Sequence, residues 1–453
     1  MTKSFEEKSK QANIFKTYDI RGIYLKEIDE LVFYKIARSC AVYFNGKKVL
    51  VGCDGRLSSK SLKSSVIQGL LDDGMEVYDL DLVSTSTFNF LISKGDFDFG
   101  LHITASHNPK EYNGLKIYDK FGVSIGLGFG LEKIKEIFEK EKFTHKKTGR
   151  LIKADDLKEE HKKFLAGKIF STDKKFAVDF SNGVGSIIFM EILKEIGAEC
   201  IILNENIDGN FPSHSPEPTE QSLSKLIEIV KSKKLDFGVA FDGDADRIVF
   251  IDENGRLLRG DQILYLLVKY LKPKKVVFEA SFPPFFKKIL QSMNVNSIET
   301  KVGRSFIINE MKKSGSDLGG EMSNHFYFKE TNFMDDAFYT FLIVLKILGE
   351  EKKNLGEILK EYEVGNFLSY KIEVSDEKKY QLVEKIKEEV KKKYDVVEVD
   401  GVKVVLSEKD WFLIRASNTE PVLKVLIESS KKETIEKYKE LIDGLVKKAL
   451  SLL

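Results

Sequence analysis

Short apolar runs of strand length alternate with longer amphipathic stretches along most of the chain. KVLVGC (48–53) reads as a buried strand ending at the turn-forming Asp54-Gly55. The spacing predicts a helix over 59–71 and a short strand over 77–80. A third strand, FGLHIT, then runs into TASHNP at 104–109. The same order recurs twice. KFAVDF (175–180) precedes a Gly-containing turn, a helical pattern over 187–196 and CIIL (200–203). KKVVFEA (274–280) precedes a helical pattern and NSIET (296–300). Each series then reaches a related string. Asp98-Phe99-Gly100-Leu101 leads to TASHNP, Asp236-Phe237-Gly238-Val239 to FDGDADR, and Asp317-Leu318-Gly319-Gly320 to EMSNH. Their matching places predict three copies of one α/β unit, each delivering a polar loop from the end of a strand. Ligands of open α/β sheets bind beyond the carboxyl ends of strands, so these loops are the expected seat of chemistry.

The pattern changes towards the end. FLSYKIEV (367–374) alternates, DEKKYQLVEKIKEEVKKKY fits an exposed amphipathic helix, and four short alternating stretches follow before a helix from about Lys432. This predicts a smaller α+β domain with an antiparallel sheet. A polar, Lys-rich stretch at 140–153 breaks the pattern earlier. The expected domains are 1–150, 151–254, 255–366 and 367–453.

Length and charge narrow the function. At about 150 residues per domain, 453 residues suggest about three domains. The 72 Lys and Arg nearly cancel 71 Asp and Glu, leaving +1. No net positive field favours nucleic acid or an acidic membrane, although a small anion needs only a local cluster of cations. Cys40, Cys53 and Cys200 are too few and scattered for a disulfide framework or a metal site, which fits a cytoplasmic setting. MTKSFEEKSKQANIF lacks an apolar stretch of signal-peptide length, and the apolar windows near Leu264 and Leu342 are too short to span a bilayer.

FDGDADR places Asp242, Asp244 and Asp246 at alternate positions, which suits one hard cation, Mg2+ ahead of Ca2+. A Ca2+ EF-hand almost fits, with Glu253 at the twelfth position. However, Arg247 stands where that loop needs Gly, and the flanks read as strands. A solvated acidic turn is the plain alternative. TASHNP offers Ser106 as a nucleophile, or as a turn cap. It is no serine-hydrolase elbow, since Thr104 and Asn108 replace the required glycines. Adjacent side chains of an extended loop diverge, so Ser106 and His107 are not expected to pair. RASNTEP groups Arg415, Ser417, Asn418 and Thr419, donors that suit a phosphate or an ordinary polar turn. In GEMSNH, Glu321 and Ser323 can read sugar hydroxyls and His325 can relay protons; structural polar contacts are the alternative.

Together, TYDIRG (17–22), TASHNP with NGLK (113–116), FDGDADR, KVGR (301–304), GEMSNH and RASNTEP resemble the α-D-phosphohexomutase family. The match is closest to its phosphomannomutase/phosphoglucomutase branch and covers nearly the whole chain in order. The resemblance implies three similar mixed-sheet α/β domains and a smaller C-terminal α+β domain around a central cleft, the fourth domain hinged. It implies reversible interconversion of hexose 1-phosphate and hexose 6-phosphate, with mannose or glucose as the sugar. Ser106 would be a phosphoserine that gives its phosphate to the sugar, forming a hexose 1,6-bisphosphate, and recovers the other phosphate.

Under this resemblance Mg2+ is held by Ser106, Asp242, Asp244 and Asp246. Arg21 and Arg247 stabilise the transferring group, and Lys116 and His325 are the candidates for proton transfer. Glu321 and Ser323 hold the sugar, while Arg304, Arg415, Ser417, Asn418 and Thr419 bind phosphate. Partners would be small sugar phosphates, with no nucleic acid and no membrane, on a monomer or homodimer. Asn324 and Ala245 stand where relatives usually have glycine, and Arg304 where some have His. Met322 favours this branch over the glucosamine branch, whose sugar loop usually carries Gln there. The competing readings are a phosphoglucosamine mutase and a non-catalytic sugar-phosphate or metal-binding relative.

Overall fold

The structure, a computed structural model, describes residues 14–141, 143, 148–418 and 420–452. They form two compact units: Met1–Gly260 with Ser323–Ile358, and Asp261–Met322 with Leu359–Leu453.

The first unit opens with a sheet of β1 (Ile20–Ile23), β2 (Lys48–Cys53), β3 (Glu76–Leu82), β4 (Phe99–Ile103), β5 (Tyr112–Asp119) and β6 (Arg150–Lys153), in the order β1-β5-β4-β2-β3-β6. It is mixed: β2, β3, β4 and β6 are parallel, and β5 runs against both its neighbours. A second sheet follows, of β7 (Phe176–Asp179), β8 (Cys200–Leu203), β9 (Phe237–Phe241) and β10 (Ile248–Asp252), ordered β10-β9-β7-β8 with β10 antiparallel. In the second unit, β11 (Lys275–Glu279) lies parallel to β12 (Asn296–Thr300) and to β13 (Leu318–Gly320). The chain returns to the first unit with the hairpin of β14 (Phe326–Phe328) and β15 (Met334–Asp335). An antiparallel sheet, β16 (Asn366–Glu373), β17 (Val396–Val397), β18 (Val402–Val405), β19 (Trp411–Ala416) and β20 (Val422–Ser429), closes the second unit in the order β16-β20-β19-β18-β17.

The threefold repeat is physical. β4, β9 and β13 each lie parallel to the first strand of their own series, with Phe99, Phe237 and Leu318 in register with Val49, Phe176 and Val276. The aspartate before each strand caps that neighbour. Asp98 Oδ2 accepts the Lys47 and Lys48 amides at 2.6 and 2.9 Å. Asp236 Oδ2 accepts the Lys175 amide at 2.7 Å, and Asp317 Oδ2 the Lys274 amide at 2.9 Å. β4 and β9 are buried throughout, which is why they read as unbroken apolar runs rather than alternating ones.

Two helices of the first unit matter to the site. Thr85–Lys94, capped by Ser84, is buried over Thr85–Ile92. Because residues on every side of it are buried, polar and apolar alike, it gives no amphipathic signal, and the periodicity does not reveal it. Ala337–Glu351, capped by Asp336, stacks Phe338 on Phe189 at 4.7 Å between centroids and sets Phe341 edge-on to Phe176 and Phe189. That aromatic packing against the second sheet fastens residues 323–358 to the first unit. Among the described residues no helix is long and apolar enough to cross a membrane.

Candidate active site

The first unit assembles one polar centre from loops remote in sequence. Ser106 follows β4 and adopts a left-handed backbone, φ 50°. Its amide donates to Thr104 Oγ1 at 2.9 Å and its hydroxyl to Asp242 Oδ2 at 2.8 Å. Its Oγ also lies 3.2 Å from His107 Nδ1. This corrects the expectation that the two diverge. The loop is not extended at Ser106, and the left-handed turn folds the neighbouring side chains together.

Asp242, Asp244 and Asp246 follow β9, and all three are buried. Carboxylate oxygens of the three lie within 4.8 Å of one another. Burial and the charges of Asp244 and Asp246 push the Asp242 carboxyl up to about 8. Burial and Asp246 also oppose ionisation of Asp244, but Lys116 and hydrogen bonds from Lys116 and Thr85 outweigh them and hold it below the ordinary range. Asp244 Oδ2 accepts from Lys116 Nζ and Thr85 Oγ1, both at 2.7 Å, and from Thr104 Oγ1 at 3.1 Å. Asp244 Oδ1 is buried and has no hydrogen-bond partner among the described residues. Crowded carboxylates with a spare buried oxygen fit a hard divalent cation, which removes both the repulsion and the unmet acceptor. Ala245 takes φ 55°, a left-handed position that costs an alanine about 1 kcal/mol relative to glycine.

The other expected groups of this unit converge on the same centre. Lys116 Nζ also donates to Asp246 Oδ2 at 2.6 Å. His325 Nε2 lies 3.2 Å from Asp246 Oδ1, and its Nδ1 3.0 Å from Ser323 Oγ. Arg21 donates to Ala105 O at 3.2 Å and to Asn108 Oδ1. Burial lowers the Arg21 guanidinium, but Asp19, followed by Asp244 and Asp246, holds it above its ordinary value. Arg247 Nε lies 4.0 Å from Asp242 Oδ2 and is buried without a hydrogen-bond partner among the described residues. Asn324 has φ 67°, which asparagine tolerates better than other side chains.

Sequence reasoning missed the support around these groups. The Thr85 amide donates to Asp244 O at 2.7 Å and Ser86 Oγ to Ala245 O at 2.6 Å, so the start of a helix grips the aspartate loop. His102, in register with Lys116, donates from Nε2 to Val83 O at 3.2 Å. Burial, then Lys116, lowers it to about 4, so it is neutral. Arg56 and Asp54 brace the Ser106 loop. The run Ser84-Thr85-Ser86-Thr87 and the charged pair in CDGR are the signals that mark these positions.

The second unit groups the phosphate candidates. Asn418 Nδ2 donates to Val302 O at 3.2 Å, joining the RASNTEP and KVGR loops. Arg304 begins the helix Arg304–Ser314 behind Gly303, whose φ of 134° explains the glycine. Arg415 is buried at the end of β19, and its Nε has no hydrogen-bond partner among the described residues. Lys379, also missed, donates to Ser417 O at 2.6 Å and fixes that turn. Glu321, 6 % exposed, belongs to this unit, whereas Ser323 and His325 belong to the first. The Met322 amide donates to Glu279 Oε1 at 3.1 Å. Thr419 lies outside the described residues.

Comparison with known proteins matches this architecture. Residues 12–145, 154–255 and 259–364 match the phosphoglucomutase/phosphomannomutase alpha/beta/alpha domains I, II and III, and residues 370–445 match that family's C-terminal domain. The fold is thus three α/β domains and a C-terminal domain. A phosphomannomutase of Methanocaldococcus jannaschii is 36 % identical, over 96 % of this chain and 98 % of its own. A probable phosphoglucosamine mutase of Thermococcus gammatolerans is 32 % identical, with the same coverage. The crystal structure of a phosphoglucomutase/phosphomannomutase family protein of Burkholderia thailandensis superposes with a TM-score of 0.88 at 26 % identity, over 97 % of this chain and 98 % of that one. The chain belongs to the phosphoglucomutase/phosphomannomutase family and is a mutase, an enzyme of the isomerase class.

Proposed function

We propose that the protein interconverts hexose 1-phosphates and hexose 6-phosphates, with mannose or glucose as the sugar, through phosphoserine at Ser106 and a hexose 1,6-bisphosphate. The observation that carries this is the Ser106 hydroxyl 2.8 Å from Asp242, inside a cluster built for a divalent cation. Mg2+ is the expected ion, held by Asp242, Asp244, Asp246 and Ser106, and it supplies charge neutralisation for phosphoryl oxygens. Phosphoryl transfer asks little covalent chemistry of a protein beyond alignment and charge stabilisation. The left-handed turn aims Oγ, Arg247 offers its unmatched Nε–H to the transferring group, and Arg21 stiffens the loop through Ala105 and Asn108. Lys116 and His325 both lie against Asp246 and are the candidates for proton exchange with the sugar hydroxyl. Arg304, Arg415, Ser417, Asn418 and Thr419 offer donors for the phosphate that is not transferred, with Glu321 and Ser323 assigned to the sugar. The scattered cysteines and even charge fit a reducing, cytoplasmic setting.

Intact mass of the purified protein tests the phosphoserine: one phosphoryl group is expected, absent in Ser106→Ala. Kinetics with mannose, glucose and glucosamine 1-phosphates, a bisphosphate activator present, test the substrate. A clear preference for glucosamine 1-phosphate would replace the mannose/glucose reading. An unphosphorylated protein that no bisphosphate activates would leave a binding protein on the same fold.

A further inference from the structure

We infer that Arg56 is a positioning residue for Ser106: its guanidinium, roofed by Phe211, holds the left-handed turn that points Oγ at Asp242. The inference rests on the reading of Ser106 as the phosphoryl carrier. Ser106 spends its own amide on Thr104, and an isolated serine does not keep a positive φ, so something must hold the strained turn from outside. Arg56 does so with all five of its N–H donors. Nη2 donates to Ser106 O at 2.8 Å and Asn108 O at 2.6 Å. Nη1 donates to Pro109 O at 2.7 Å and Tyr112 O at 3.0 Å. Nε donates to Asp54 Oδ2 at 3.1 Å. One planar group thus pins three carbonyls of the loop and a fourth at the first residue of β5. Asp54 is itself fixed by Ser59 Oγ at 2.5 Å and by the Arg56 amide at 3.0 Å.

The clamp is closed from the second domain. The Arg56 guanidinium lies over the Phe211 ring, 5.1 Å from its centroid. Phe211 takes φ 49°, an outlier for a bulky side chain, and such strain persists only where the surroundings impose it. The fit beside it is backbone on backbone. A Cβ on Gly209 would stand 2.4 Å from Leu57 N and 2.6 Å from Gly55 O. Arg56 is 2 % exposed, and burying a cation against one carboxylate and four carbonyls is a poor source of stability. Fixing one loop conformation is what the arrangement does achieve.

Two variants test it in the full-length enzyme. Arg56→Lys keeps the charge and loses the fork. Its kcat should fall about 100-fold while KM stays within about threefold, because alignment is lost and substrate contacts are not. Phe211→Leu keeps the apolar cover and loses the ring face, and its kcat should fall about tenfold. In both, amide hydrogen exchange should accelerate in the peptide 104–112 and stay unchanged in the strands of the second unit. If Arg56→Lys does not fold, Phe211→Leu carries the test. Unchanged exchange over 104–112 in the folded variants, or a raised KM with unchanged kcat, overturns the clamp. Hydrogen exchange does not depend on catalysis. A wild-type protein without mutase activity would therefore defeat the proposed function while this readout still decides the clamp.

Discussion

Ser106 Oγ and Asp242 Oδ2 stand 2.8 Å apart although 136 positions separate them. Their placement follows from the repeat. Ser106 follows β4 and Asp242 follows β9, the strands that come after the equivalent aspartates Asp98 and Asp236. Two copies of one unit pack with the same strand end towards each other, and the loops they deliver meet. One copy supplies the serine hydroxyl and the other the carboxylates.

A metal ion at this cluster would compete with a proton. With Asp242 pushed up to about 8 by burial and its neighbours, a proton must leave before a cation binds fully. Mg2+ affinity should therefore rise as pH increases towards about 8 and weaken below it, in titration calorimetry on metal-stripped protein. Chelation should abolish activity, and Mg2+ at about 100 times its Kd should restore about 2.7 kcal/mol of stability in thermal melts.

Lys116 is the cation between two buried carboxylates, 2.7 Å from Asp244 and 2.6 Å from Asp246. Lys116→Met leaves both without it. The metal-free variant should lose about 3–5 kcal/mol in urea unfolding, the range for breaking a buried pair. Excess Mg2+ should recover part of that stability without restoring turnover.

Gly243 has no room for a side chain. A Cβ there would lie 2.8 Å from Ser106 O and 3.2 Å from Pro216 Cβ. Gly243→Ala must move backbone, so a loss of about 1–3 kcal/mol is expected. Phosphorylation of Ser106 should fall with it, read as phosphoryl stoichiometry by intact mass.

His214 anchors the segment that carries Phe211, with Nε2 3.2 Å from Asp179 Oδ2 and Nδ1 2.8 Å from Ser215 O. Burial lowers its pKa, but the bond and charge of Asp179 raise it above 6.5 overall. The sign follows from linkage. A histidine raised on folding contributes stability that is fully present below its unfolded pKa of 6.5 and is lost as pH rises through the folded value. His214→Gln should thus be most destabilising in acid and converge on wild type as pH rises, measured by unfolding midpoints. Direct NMR titration should place the imidazole above 6.5.

Arg415 offers a buried Nε–H with no hydrogen-bond partner among the described residues. Arg415→Ala should raise KM for the sugar phosphate at least about tenfold, the loss of a charge-assisted contact. Transfer from an activating bisphosphate should weaken in parallel, and the melting temperature should change little.

The chemical residue types and their order were legible in the chain: three alternating aspartates after an apolar strand, a serine at the end of another, and an arginine-led turn in the last domain. So were the threefold repeat and the antiparallel tail, because burial on both faces and alternation leave different patterns. The helix Thr85–Lys94 was not, since an element buried all round has no period to read. Nor was the Ser106–His107 contact, which exists because one φ angle is positive.

By itself, the sequence determined which groups exist, on which kind of element, and in which order. Tertiary structure alone decided that Thr85, Ser86 and His102 stand behind the aspartates, that Arg56 spends four of its five side-chain hydrogen bonds on the Ser106–Tyr112 segment, and that Phe211 covers it. The physical reason is that carbonyl acceptors carry no side-chain identity, and a left-handed backbone is not encoded by serine or phenylalanine. Both are fixed by packing between segments some 50 to 160 residues apart, where a one-dimensional pattern holds no trace of the partner.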